Sequence, residues 1–122
     1  MTIESIAVGM VAESTQEVTA ERTAVHLGSG ALRVFATPAM ALMIEETCRK
    51  MVEAHLPSGK STVGTDLELR HLAPTPVGRT VRVWAEVAAI EENVITFRAQ
   101  VWDDVEQVGE ARHRRAVIDI DR

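Results

Sequence analysis

Apolar residues recur along this chain with two distinct periods. Between Thr37 and Ala54 the period is helical. At roughly 100° per residue, Met40, Met43, Ile44, Thr47, Met51 and Ala54 fall on one broad face, with Leu42, Glu46, Lys50 and Glu53 opposite. Thr37-Pro38 reads as an N-cap followed by proline at the first helical position, where a missing N–H is no loss. Glu46 and Lys50 are spaced for a surface ion pair. Glu45 sits on the border of the apolar stripe, beside Ala41 and Val52, where a carboxylate can be partly desolvated. The run His55-Leu56-Pro57-Ser58-Gly59 ends the helix.

From Ser61 to Leu72 the period becomes two. Val63, Thr65, Leu67, Leu69 and His71 share one strand face, and Thr62, Gly64, Asp66, Glu68 and Arg70 share the other. The parity puts His71 on the apolar face, where an imidazole needs a polar partner. A turn with two prolines and a glycine, Ala73 to Arg79, leads to a strand over Thr80–Ile90. Val81, Val83, Ala85 and Val87 lie on one face of that strand, Arg82 and Glu86 on the other. Glu91-Glu92-Asn93 makes a hairpin to a strand over Val94–Asp103, and the last strand runs from about Glu106 to Ile120. At the other end, Gln16–Leu27 suits an edge strand, Gly28-Ser29-Gly30 breaks it, and residues 1–15 are expected to form a partly ordered arm.

The order is then one strand, one long helix, and four antiparallel strands joined by short turns. One helix covers one face of a five-stranded sheet. The second face and the sheet edge call for cover, which a homodimer supplies economically. The expected class is α+β: a single hotdog domain over residues 1–122, with a long central helix wrapped by antiparallel sheet.

Composition narrows the function. A chain of 122 residues with 46% hydrophobic and 25% charged residues is an ordinary globular domain. A net charge of −5, with two Trp, two Phe and no Tyr, argues against a nucleic-acid partner, which would meet a basic stripe or stacking platforms. The single cysteine, Cys48, excludes an internal disulfide and fits a reducing compartment. No apolar run reaches membrane-spanning length and no signal peptide is visible, so the expectation is a cytoplasmic protein without a membrane partner.

Three groups could act together: Thr37 at the helix mouth, Glu45 two turns along, and His71 at the end of the strand. Each has a plainer reading. Thr37 before Pro38 is an ordinary N-cap; Glu45 and Arg49 are an i, i+4 pair; a histidine on an apolar face is more often structural than catalytic. Cys48 and the methionines read as core. The basic run Arg112–Arg115 reads as solvated, or as attracting phosphates.

The joint spacing carries more than its members. The strings V-F-A-T-P-A-M-A-L-M-I-E-E, V-G-T-D-L-E-L-R-H-L-A-P-T-P-V-G and G-E-A-R-H-R-R-A-V-I resemble the fluoroacetyl-CoA thioesterase-like family of hotdog proteins. The similarity runs from about Phe35 to Ile118. Its specific part is a threonine, a glutamate eight residues on, a histidine twenty-six beyond that, and a glycine seven before the histidine: here Thr37, Glu45, His71 and Gly64. The resemblance implies a homodimeric acyl-CoA thioesterase with its active site at the subunit interface. It implies no metal and no cofactor apart from the coenzyme A of the substrate. Thr37, Glu45 and His71 would be catalytic; Gly64, Phe35 and Arg115 would bind substrate, Arg115 and His113 standing in the closing H-x-R motif. In that motif the middle residue is Arg114, where an acidic residue is common in relatives. The fluoroacetyl-specific branch also carries aromatic lid residues before the threonine. Here that segment is Gly28-Ser29-Gly30-Ala31-Leu32, with Phe35 its nearest aromatic, so a short or medium acyl group is the implied substrate. The alternative is a non-catalytic binder of acyl-CoA or a small acyl ligand on the same fold.

Overall fold

The computed structural model of the protein describes residues 5–121. Strand β1 (Val11–Glu17) is followed by a 3-10 turn (Ala20–Arg22), a one-turn helix α1 (Ala24–Leu27) and the long helix α2 (Thr37–Glu53). Four strands complete the chain: β2 (Lys60–His71), β3 (Thr80–Glu91), β4 (Val94–Trp102) and β5 (Gln107–Asp119). They form one antiparallel sheet in the order β1-β3-β4-β5-β2, so β1 and β2 are its edges. The helix and β2 through β5 lie within about one residue of the expected bounds, and the arrangement is the hotdog fold.

Registers put the sheet's helix-facing side chains in rows. Val83, Val101, Gly109 and His71 are successive cross-strand partners, as are Ala85, Ala99, Ala111 and Leu69, and Val87, Phe97, His113 and Leu67. Against these rows α2 presents Met40, Met43, Ile44, Thr47, Cys48, Met51 and Val52, all buried. Each large apolar side chain fully enclosed this way contributes about 1.5–3 kcal/mol. At the row nearest the helix N-terminus the helix comes close to the sheet: a Cβ on Gly109 would sit 2.5 Å from the sulfur of Met40, which would have to move.

Four expectations change. The first strand is Val11–Glu17, so residues 11–15 lie in the sheet instead of an arm; residues 1–4 fall outside the described part. β1 pairs with β3 from Val11↔Glu86 to Glu17↔Thr80, and its inward side chains are Ala12, Ser14 and Gln16. Most of the expected strand over Gln16–Leu27 is not sheet. Thr23 accepts a hydrogen bond from His26 N–H and caps α1, a use of threonine that competes with extended structure.

Second, β2 contains a bulge at Thr65, where the register with β5 shifts between Gly64 and Asp66. One extra residue inverts the parity. Thr62 and Gly64, not Val63 and Thr65, face the helix with Leu67, Leu69 and His71: Thr62 is buried and Val63 is exposed.

Third, the sheet's outer face needs no apolar cover. It carries ion pairs such as Arg98–Glu86, Arg70–Glu110 and Arg114–Asp66, with Arg98 above the Trp84 ring. The edge strands β1 and β2 each pair on one side within the sheet. Fourth, the run Arg112–Arg115 is only half solvated. Strand alternation exposes Arg112 and Arg114 and buries His113 and Arg115, 1% and 5% exposed.

Candidate functional site

Helix α2 runs antiparallel to β2 across its inner face, and the two elements bring functional side chains together at two points. The first is the helix mouth. Thr37 lies inside the helix, Ala36 is its N-cap, and the Thr37 hydroxyl makes no cap bond. It reaches instead to Nδ1 of His71 at 2.8 Å. The expected cap is therefore corrected: the hydroxyl is turned to the sheet, and the free N–H groups of the first turn are left without it. The Nε2 atom of His71 is buried and, among the described residues, has no hydrogen-bond partner. Burial pushes His71 below the ordinary histidine value, with the Ala73 backbone opposing. A cleft of about 350 Å³ opens here, lined by Val34, Thr37, His71, Leu72, Ala73 and Pro74. A hydroxyl on a neutral imidazole is the geometry that activates a weak oxygen nucleophile or orients a carbonyl.

The second point lies two helical turns on. Glu45 is not paired with Arg49, which pairs with Glu53. Its carboxylate faces Arg115, Oε2 to Nη1 3.7 Å, and its side chain is 42% exposed. Gly64 lies across from it, so close that an added Cβ would stand 3.1 Å from Oε2. The bulge at Thr65 puts Gly64 on this face. Arg115 is locked from behind: Nε donates to the Thr62 hydroxyl at 2.8 Å, Nη2 to the Thr62 carbonyl at 3.2 Å, and Nη1 lies 3.1 Å from Nε2 of His113. Cys48 lies buried within reach of this charge pair, and burial pushes its thiol up to about 12.

Thr37 and His71 thus meet, Glu45 and Gly64 meet, and the two pairs stand apart. Eight residues of helix separate Thr37 from Glu45, about 12 Å along the axis. Two expected binding residues are buried within this chain. Phe35 is fully enclosed in the core, its N–H bonded to the Thr75 carbonyl, and offers no ring face to a ligand. Arg115 directs its guanidinium at Thr62, His113 and Glu45. Thr62 and His113 were not singled out as site residues; strand parity applied to β5 places His113 and Arg115 inward with Val117. Among the described residues, no group of three or more His, Cys, Asp or Glu side chains is placed to hold a metal ion.

Comparison with known proteins gives a consistent picture. The model of the family described as fluoroacetyl-CoA-specific thioesterase matches residues 18–121. The fluoroacetyl-CoA thioesterase of Streptantibioticus cattleyicolor is 35% identical over 89 residues, 73% of this chain and 64% of that protein, so this chain spans somewhat less than two thirds of that relative. A mutant of the fluoroacetyl-CoA-specific thioesterase FlK, solved in complex with fluoroacetate and CoA, superposes with a TM-score of 0.87 at 30% identity, covering 95% of this chain and 98% of that one. A hot-dog-like protein from Thermanaerovibrio acidaminovorans gives a TM-score of 0.90 at 22% identity over 97% of this chain and 87% of that one, a likeness of fold.

Proposed function

The chain belongs to the fluoroacetyl-CoA-specific thioesterase family, and on that premise we propose that it hydrolyses the thioester of a short- or medium-chain acyl-CoA, the coenzyme A of the substrate being the only cofactor involved. The observation that carries the reading is the Thr37–His71 contact, with the far nitrogen of the imidazole buried and without a partner among the described residues, beside an open cleft. An unpaired buried nitrogen is destabilising in the absence of a ligand, and active sites are where such groups are kept.

The working unit is a homodimer. Strand β2 is an open sheet edge, and edges of this length invite a second copy. In an antiparallel β2–β2 contact, a two-fold axis near Leu67 and Glu68 lays Gly64 of one copy against His71 of the other. Glu45 of the first copy then approaches the Thr37–His71 pair of the second. The separation seen within one chain is closed by symmetry, and each dimer holds two composite sites.

In such a site the thioester carbonyl lies at the mouth of α2, its oxygen toward the free N–H groups of the first turn, where the helix dipole favours negative charge. Glu45, open to solvent on one side, takes a proton from water as the water oxygen bonds to the carbonyl carbon. The tetrahedral oxyanion collapses, the C–S bond breaks, and the proton held by Glu45 passes to the CoA sulfur, giving the free acid and the thiol. Thr37, fixed by His71, orients the carbonyl. Gly64, with no side chain, leaves room for the acyl group beside Glu45. The segment Gly28–Leu32 is exposed and carries no aromatic ring, so the acyl group is not confined to a two-carbon fluorinated unit. A reducing, cytoplasmic setting accompanies this reading, with Cys48 a free thiol.

Thiol release from a panel of acyl-CoAs, with Glu45→Ala as the control, is the test. Turnover by the wild type that is lost in the variant supports hydrolysis. Tight binding without turnover by either protein replaces it with the binding reading.

A further inference from the structure

The buried polar group behind Glu45 has a role beyond packing. We infer that His113 is a positioning residue for Glu45, acting through Arg115 as a neutral imidazole held in a single tautomer. The inference rests on the hydrolase reading for its kinetic consequence but on geometry for the tautomer.

The geometry leaves one assignment. Nδ1 of His113 lies 2.7 Å from the Asp66 carbonyl, which can only accept, so Nδ1 carries the hydrogen. Nε2 lies 3.1 Å from Nη1 of Arg115, which can only donate, so Nε2 offers its lone pair. A protonated ring would set N–H against N–H there. The ring stacks on Phe97, centroids 6.0 Å apart at 26°, which fixes its plane. The groups facing it are Asp66 from β2, Arg115 from its own strand, Glu45 from α2 and the Phe97 ring from β4. Burial, the largest influence, lowers its proton affinity; the charge of Arg115 acts the same way, and the Asp66 backbone, Glu45 and the Asp66 carboxylate oppose.

The bulge in β2 makes the arrangement possible. It shifts the β2–β5 register between Gly64 and Asp66, so that the Asp66 carbonyl is the one meeting His113. The same irregularity places Gly64 opposite Glu45. One inserted residue thus sets both the space beside the carboxylate and the acceptor that selects the histidine tautomer. Thr62 and His113 hold the guanidinium from two sides, leaving Nη1 directed at Glu45. Without the Nε2 acceptor, one corner of a buried guanidinium loses its partner and Nη1 is free to swing from the carboxylate.

Two substitutions separate positioning from mere support. His113→Gln keeps an acceptor near the place of Nε2, whereas His113→Asn keeps a donor near Nδ1 and leaves Arg115 short of its partner. We expect His113→Asn to lower kcat about tenfold or more with KM within about twofold, as loss of a supporting hydrogen bond does, and His113→Gln to recover most of it. On the wild type, long-range proton–nitrogen NMR of labelled histidines should show His113 neutral at pH 7 with hydrogen on Nδ1. Wild-type kcat in His113→Asn, or a ring hydrogen found on Nε2, overturns the inference. If no acyl-CoA is turned over by the wild type, the hydrolase reading fails and the NMR result alone decides the tautomer; if His113→Asn does not fold, the NMR result on the wild type again decides.

Discussion

The Thr37 hydroxyl and Nδ1 of His71 meet at 2.8 Å, fastening the first turn of α2 to the last residue of β2. A threonine that could have capped its own helix has been spent on a histidine across the seam. Thr37→Val removes the hydroxyl at nearly constant shape. It should lower kcat by about a hundredfold while lowering stability by only about 0.5–1.5 kcal/mol, one hydrogen bond. Thr37→Ser should retain most activity. Acyl-CoA kinetics beside urea unfolding measures both; unchanged kcat in Thr37→Val refutes the assignment.

Gly64 and Gly109 should respond differently to the same substitution. A methyl on Gly64 would stand 3.1 Å from the Glu45 carboxylate, 3.3 Å from the His113 ring and 3.4 Å from Arg115, so Gly64→Ala displaces the carboxylate. Activity should fall with little change in unfolding midpoint. A methyl on Gly109 would stand 2.5 Å from the sulfur of fully buried Met40. Gly109→Ala should therefore destabilise the fold by about 1–3 kcal/mol, as overpacking does. Unfolding curves and kinetics of the pair test the contrast.

Acid should weaken the fold earlier than its carboxylates require. His71 and His113 are both held below 6.5, in each case chiefly by burial. Between 6.5 and their folded-state values the unfolded chain binds more protons. Their contribution to stability is complete above pH 6.5 and is lost as pH falls from there through the folded values. Urea midpoints at pH 7.5 and 5.5 should differ in that direction, and His71→Gln should reduce the difference. A flat profile across this range contradicts it.

Cys48 should resist alkylation in the native state. The thiol is fully enclosed and pushed up to about 12, which leaves about one thiolate in ten thousand at pH 8 even with free access. Iodoacetamide should label it only at the rate of unfolding. Rapid labelling of the native protein would show that α2 opens locally.

Much of this was legible in the residues. The 3.6-residue spacing of Met40, Met43, Ile44, Thr47 and Met51 marks both the helix and its buried face. The alternation of Val81, Val83, Ala85 and Val87 does the same for β3. β1 was hidden because its inward positions are Ala12, Ser14 and Gln16; it packs on the helix border, where Ser14 and Thr47 share a hydrogen bond of 2.6 Å, and needs no large apolar residues. The bulge at Thr65 leaves no mark in composition, yet it reverses two residues of the site. The spacing of Thr37, Glu45 and His71 marks them as candidates but says nothing of whether one chain brings them together. Within the chain the contacts are Thr37 with His71 and Glu45 with Arg115, and it is the proposed dimer that would join the two pairs.

Subunit complementation tests that claim most directly. Glu45→Ala and His71→Ala should each be inactive as homodimers. Co-refolded in equal amounts they form hybrids in which one site receives Glu45 from one copy and Thr37–His71 from the other. Random pairing should then restore about a quarter of wild-type activity. If the hybrids form and the mixture stays as inactive as its components, each site lies within a single subunit and the composite arrangement is wrong.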